Sequence, residues 1–264
     1  MTKNTLNILI TAGGTSEQID NVRRISNSGT GRLGALIADA YAAAKIEEIH
    51  IVYICSENAA RPCSPQLEVI TANDVRSVET AIRAVCEKTA FAVIIHSMAI
   101  SDYVVRAVSD SARMTRGIIE SLSVLSCGDS DSPEEAVRDA ILSPPPLPGE
   151  ETASKISSDK EDLVVVLGKA PKLISQLRGL ADKAVIVGFK LLSDSNEAEL
   201  IKAGRALLVK NDCDFVFAND MKTVLSDNHE GILISRDGTC ERASGKEQIA
   251  DLIVRRTLEL KYSL

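Results

Sequence analysis

Side chains and backbone suited to chemistry cluster in a few short runs of this chain. The first run is Thr11-Ala12-Gly13-Gly14-Thr15, which follows an apolar stretch from Leu6 to Ile10. Paired glycines at a strand end let the backbone approach a ligand where a Cβ would clash. A polar loop follows, with Glu17, Asp20, Arg23, Arg24, Asn27 and Ser28. Gly29-Thr30-Gly31-Arg32-Leu33-Gly34 then opens an Ala-rich helix, Leu33 to Ala44. Free N–H groups at a helix start, beside small residues, favour a phosphate or carboxylate. This first strand, loop and helix therefore read as an anion site flanked by Arg23, Arg24 and Arg32. Later apolar runs end in comparable residues: His96-Ser97-Met98-Ala99-Ile100-Ser101-Asp102-Tyr103, Gly168-Lys169-Ala170-Pro171-Lys172, Gly188-Phe189-Lys190 and Asn219-Asp220. Small residues, lysines and acids at successive strand ends suit a phosphorylated ligand that carries a metal ion.

Plainer readings stand beside these. Loops at strand ends are polar anyway. Gly29-x-Gly31-x-x-Gly34 spells the dinucleotide fingerprint. That fingerprint follows its strand at once, whereas about fifteen residues intervene here. Glu57, past the second strand, keeps an NAD(P)-dependent reductase open as an alternative, and a non-catalytic nucleotide-binding scaffold is another. His96 reads most simply as a packed strand-end histidine, Asn27 as a helix N-cap and Phe189 as core.

Composition narrows the class. The chain has 264 residues, 45% of them hydrophobic, and a net charge of −7. That charge argues against a general nucleic-acid or anionic-membrane surface, so an anion site must be local. No apolar run reaches membrane-spanning length, and MTKNTLNILI lacks a signal-peptide design. The six cysteines include no C-x-x-C pair, and reduced thiols fit a cytoplasmic protein. Three histidines without H-E-x-x-H give no protein metal site.

The elements that must hold these runs alternate. Strands are expected at Leu6 to Ile10, Ile49 to Ile54, Phe91 to Ile95, Leu163 to Leu167, Ala184 to Val187 and Phe215 to Ala218. Helices are expected at Val75 to Glu87, capped by Asn73 or Asp74, near Lys172 to Leu180, and at Glu197 to Val209. Such alternation predicts an α/β fold: a Rossmann-like, largely parallel sheet with helices on both faces. Gly231 to Ser235 followed by Arg236-Asp237-Gly238-Thr239 predicts a small antiparallel C-terminal hairpin, before a last helix to about Leu260. The whole of 1–264 reads as one domain, interrupted by a Pro-rich insertion at about 109–154 with short helices at Ile118 to Leu125 and Glu134 to Leu142.

Taken together, ITAGGTSEQID, VRRISNSGTGRLG, IIHSMAISDY, KISS at Lys155 to Ser158, KAPKLI, VGFKLL and VFANDM resemble phosphopantothenate–cysteine ligase, in family order and over nearly the whole chain. The likeness is to the stand-alone bacterial form, with no flavin site implied. It implies an acid–amino-acid ligase of coenzyme A biosynthesis that joins 4′-phosphopantothenate to cysteine through an acyl-nucleotide. CTP is the expected nucleotide ahead of ATP, with Mg²⁺ held by phosphates and water, and the protein is expected to be a homodimer. By matching position, Asn27 holds the activated acyl group, and Lys155 contacts the nucleotide and serves catalysis. Gly13, Gly14, Thr15, His96, Ser97, Met98, Asp102, Pro171, Lys172, Leu173, Ile174, Phe189 and Lys210 are expected at the nucleotide. Arg23, Arg32 and Asn219 are expected at the phosphopantothenate. Three positions and one run depart from the family pattern: Gln18 replaces a usual proline, Gly29 a hydroxyl residue and Ala206 a basic one, and Gly188-Phe189-Lys190-Leu191 lacks an acid found in fused enzymes.

Overall fold

The structure, a computed structural model, describes residues 5–44, 46, 48–65, 67–125, 132–145, 156, 161–224 and 229–263. In chain order its elements are β1 (Leu6–Ala12), β2 (Ser16–Gln18), β3 (Arg24–Ser26), α1 (Arg32–Ala43), β4 (Ile49–Cys55), β5 (Leu67–Thr71) and α2 (Val75–Lys88). There follow β6 (Val93–His96), β7 (Tyr103–Ser109), α3 (Ser111–Leu125), α4 (Pro133–Leu142), β8 (Val164–Lys169), α5 (Ile174–Leu180) and β9 (Val185–Leu192). The chain closes with α6 (Glu197–Lys210), β10 (Phe215–Asp220), α7 (Met221–Val224), β11 (Glu230–Ser235), β12 (Cys240–Ser244) and α8 (Lys246–Ser263). These elements form two compact units: one comprises Met1–Thr15, Asn27–Ile100 and Lys172–Leu264, the other Ser16–Ser26 and Ser101–Pro171.

The first unit is an α/β Rossmann-like fold. Its eight-stranded sheet runs β12-β11-β10-β9-β6-β1-β4-β5. The strands from β10 to β5 are parallel, and the β11–β12 hairpin adds to β10 antiparallel. The central strand β1 is apolar and buried nearly throughout, as a strand covered on both faces must be. On one face Ile8, Ile10, Val187 and Phe217 meet Ile37 and Tyr41 of α1 and Ile249 and Ile253 of α8. Each fully buried side chain of this size contributes about 1.5–3 kcal/mol of burial. Helices α2, α5 and α6 pack on β4, β9 and β10. Capping boxes start two of them: Asp74 with Ser77 at α2, and Asn196 with Glu199 at α6.

The second unit carries two small antiparallel pairs, β2–β3 and β7–β8, with α3 and α4. Val108 and Ile156 form its core with Ile19, Val105, Leu163 and Val165. Asp20 knits the β2–β3 turn: its carboxylate accepts the N–H groups of Val22 (2.8 Å), Arg23 (2.7 Å) and Ile156 (3.2 Å). These bonds hold its pKa below the usual carboxylate value.

Four expectations are corrected. The run at Leu163 to Leu167 is no strand of the main sheet: it becomes β8 and pairs with β7. Its residues alternate in burial, with Leu167 41% exposed, as suits a small two-stranded pair rather than a covered parallel sheet. The stretch at Tyr103 to Ser109, to which no strand was assigned, is β7. The edge strand β5 falls in a stretch to which no strand was assigned. Gly188-Phe189-Lys190 and Asn219-Asp220 lie within β9 and β10 rather than beyond them.

Candidate functional site

Three chain segments are stitched together at the carboxyl end of β1. Ala99 donates its N–H to the Gly13 carbonyl (2.8 Å), Thr15 donates to the Ala99 carbonyl (3.1 Å), and Asn27 donates to the Thr15 carbonyl (2.9 Å). Gly13 adopts φ +93°, a conformation that favours glycine. A Cβ on Gly14 would strike the Asn27 carbonyl oxygen. Small residues are thus needed here for the chain to pass itself. The same holds for Gly29, where a Cβ would meet the Gly13 carbonyl, and Gly34, where it would meet Ala12. In the dinucleotide-like run, Gly29 therefore serves the backbone crossing and Gly34 close helix–strand packing, and a hairpin separates the run from β1, unlike a strand–turn–helix phosphate loop.

Asn27 does not cap the helix. The N-cap of α1 is Gly31, in the left-handed region at φ 72°, and no side chain caps the first turn. Asn27 instead donates from Nδ2 to the Ala99 carbonyl at 3.2 Å and is half-buried at the crossing. The first turn of α1 contains no acid, so its N–H groups and Arg32, which is exposed, leave positive potential at this end of the sheet.

His96 ends β6 and is 6% exposed. Its Nδ1 lies 2.9 Å from Thr11 Oγ1, and burial pushes its pKa down to about 4. Next to it, Ser97 Oγ donates to the Thr11 carbonyl at 2.7 Å. His96 is therefore a neutral, packed imidazole that braces the β1–β6 edge. Met98 is buried beside it.

Further along the sheet, Phe189 packs against Phe217 with ring centroids 5.8 Å apart. Asn219, two residues beyond Phe217, shares its face of β10 and is 7% exposed. Asp220 points to the other face, where its carboxylate accepts from Ser195 N–H (2.8 Å), Ser195 Oγ (2.7 Å) and Lys222 N–H (2.9 Å). Those bonds lower its pKa to about 2.

The first unit thus brings together Gly13, Gly14, Thr15, Asn27, His96, Ser97 and Met98, and carries Phe189 and Asn219 on strands of the same sheet. Lys172, exposed, and Leu173, buried, precede α5, and Ile174 is its first residue. Lys210 ends α6, which enters β10, so topology puts it towards the amino ends of the parallel strands. Arg23, Asp102 and Pro171 belong to the second unit. Arg23 pairs with Asp20 at 3.1 Å, and the Asp102 carbonyl accepts from Ala170 N–H at 2.9 Å. Lys155 lies outside the described residues. Sequence reasoning passed over His229, which lies next to Asn219. A lone histidine at the start of a hairpin gives no periodic signal that could have revealed it.

Comparisons with known proteins agree with this picture. A family model described as the DNA/pantothenate metabolism flavoprotein C-terminal domain matches residues 4–122 and 147–260. The Coenzyme A biosynthesis bifunctional protein CoaBC of Methanocaldococcus jannaschii is 27% identical over 261 residues, 97% of this chain and 51% of that protein. The protein of the same description from Thermococcus kodakarensis is 26% identical over 231 residues, 87% of this chain and 45% of that protein. The chain spans about half the length of these curated relatives. Among solved structures, the DNA/Pantothenate Metabolism Flavoprotein from Streptococcus pneumoniae has a TM-score of 0.75 at 28% identity, covering 97% of this chain and 100% of that one. A mutant of Cab2 in complex with phosphopantothenate-cysteine has a TM-score of 0.64 at 18% identity, covers 98% of this chain and 87% of its own, and shares the fold. With matches on both sides of one gap accounting for most of its length, the chain belongs to the family of the DNA/pantothenate metabolism flavoprotein C-terminal domain.

Proposed function

We propose that this protein is a ligase that joins 4′-phosphopantothenate to cysteine. The observation that carries the reading is the crossing of Gly13–Thr15, Asn27 and Ala99 beside the uncapped start of α1, in a chain of this family. The pantothenate carboxylate oxygen attacks the α-phosphorus of a nucleoside triphosphate. The α–β phosphoanhydride bond breaks and pyrophosphate leaves. The cysteine amine then attacks the acyl carbon, the acyl–phosphate bond breaks, and the nucleoside monophosphate leaves with a proton released to solvent. Neither step needs a protein nucleophile, so the chain's task is to position and neutralise charge.

Backbone N–H groups at the start of α1 and Arg32 supply positive potential for a phosphate. Asn27 offers a fixed amide for the acyl group. Asn219 lies three strand spacings from β1, about 14 Å, which suits an extended pantothenoyl chain. CTP is the proposed nucleotide. Mg²⁺ is proposed to accompany the nucleotide, held by phosphates and water. The free thiols of Cys55, Cys63, Cys86, Cys213 and Cys240 suit a cytoplasmic enzyme in a reducing compartment, and a homodimer is the proposed assembly.

Product analysis with CTP and ATP in parallel tests the reading. Pyrophosphate and nucleoside monophosphate should form only when phosphopantothenate and cysteine are both present. Asn27→Ala removes one half-buried hydrogen bond and should cost about 1 kcal/mol of stability. It should lower kcat on the order of a hundredfold, as expected of a lost polar group at an acyl centre. No turnover with either nucleotide would discard the ligase.

A further inference from the structure

Beside Asn219 lies a buried histidine that the proposed chemistry does not use. His229 precedes β11 by one residue and is 4% exposed. Its ring meets Phe217 edge-on, with centroids 6.2 Å apart. Its backbone carbonyl accepts the Gly245 N–H at 2.8 Å, which fixes the residue from the far end of the hairpin. Nε2 lies 2.9 Å from Asn219 Nδ2. Nδ1 is buried and has no partner among the described residues.

The ring is neutral, because burial and the nearby Lys246 ammonium hold its pKa at about 4. An amide nitrogen offers only hydrogens, so with Nδ2 against it Nε2 accepts and the ring proton sits on Nδ1. One hydrogen of the Asn219 amide is thereby committed, and Oδ1 is left to accept from a ligand. Without His229, a carboxamide can turn over and exchange its oxygen and nitrogen with little change of shape. A purely packing role fits poorly: an apolar ring would fill the same space without an unpaired buried nitrogen.

We propose that His229 is a positioning residue, holding the Asn219 carboxamide with Oδ1 presented to a hydroxyl or amide N–H of the pantothenoyl chain. The inference rests on the ligase reading and on Asn219 as a substrate contact.

Steady-state kinetics on the full chain test it, with His229→Phe and His229→Gln beside the unmodified protein. The Phe variant keeps the ring contact with Phe217 and loses the acceptor. Its KM for phosphopantothenate should rise roughly tenfold, with the KM for CTP and the melting temperature unchanged. The Gln variant restores a polar partner and should return that KM to within about threefold of the unmodified value. In an Asn219→Ala background, His229→Phe should have no further effect. An unchanged KM for phosphopantothenate in the Phe variant, a parallel rise in every KM with a lower melting temperature, or failure of both variants to fold would each overturn the inference. An unmodified protein without ligase activity would instead sink the functional reading, and that is seen before any variant is compared.

Discussion

His96 and His229 are both buried imidazoles whose proton affinity is set by the fold. In the unfolded chain each takes a proton near pH 6.5, and in the folded chain only near pH 4. As pH falls through that window, the unfolded state binds protons that the folded state refuses, so stability declines. The slope approaches ~1.4 kcal/mol per pH unit for each histidine and vanishes below about pH 4, where both states are charged. The carboxylates of Asp20 and Asp220 act in the same sense at lower pH: their pKa values are lowered too, so their contribution is present above the ordinary carboxylate value and is lost only below it. The two windows are therefore separable. Denaturant titrations between pH 7 and 4 should show stability falling with acid, and His96→Gln should remove about one proton from the slope. An identical slope in that variant would show that His96 is not the group that titrates. The residues at the site differ in how readable they were. Gly13 and Gly14 could be chosen because strand ends in an open parallel sheet are where ligands sit, whereas Asn27 was chosen through its match to the family's asparagine. What Gly14 is for could not be read, because its neighbour is the carbonyl of Asn27, which a hairpin brings back onto it.

At the scale of elements, an apolar run reveals a strand but not its partner. β1, β4, β6, β9 and β10 were legible because covered parallel strands are nearly continuous hydrophobic runs. β8 looks the same in sequence, yet its partner β7 is antiparallel and some sixty residues earlier. β7 was missed because Arg106 and half-exposed residues break its apolar character, and β5 because it is a short, exposed edge. The helix starts were clearer, since Asp74 caps α2 through a local bond from Ser77 N–H at 2.7 Å. One element-scale consequence is open to test. The crossing at β1 has no room for a methyl on Gly14, and what stands in the way is backbone. Gly14→Ala should push the Asn27 segment away from Ala99 and cost about 1–3 kcal/mol. Activity should drop at least as far as in Asn27→Ala, because the whole segment moves. Gly238→Ala is the control: its φ of +94° strains a side chain, but nothing lies within 4 Å of the added Cβ. It should destabilise the hairpin by about 1 kcal/mol and leave kcat unchanged. Equal kinetic effects at both glycines would refute the crossing as the source.

At the scale of the molecule, the family match divides the chain into two matched segments and a stretch between them. The stretch between the matched segments is 123–146, and α4 lies wholly inside it. α4 packs against α3, and Pro145 returns its carbonyl to Ser109 Oγ at 2.9 Å. The helix pair still leaves Ile119 58% and Val124 64% exposed. All these residues belong to the second unit, while the crossing of Gly13, Asn27 and Ala99 belongs to the first. The family model matches the chain on both sides of α4 and not across it. Replacing 126–143 by a short Gly/Ser linker should therefore leave kcat and the nucleotide KM within about twofold, since a closed surface loop tolerates changes of length. Melting should begin earlier, because α3 loses its cover. If kcat instead fell more than tenfold while the melting temperature held, the helix pair would belong to the reaction machinery of this chain rather than to its periphery.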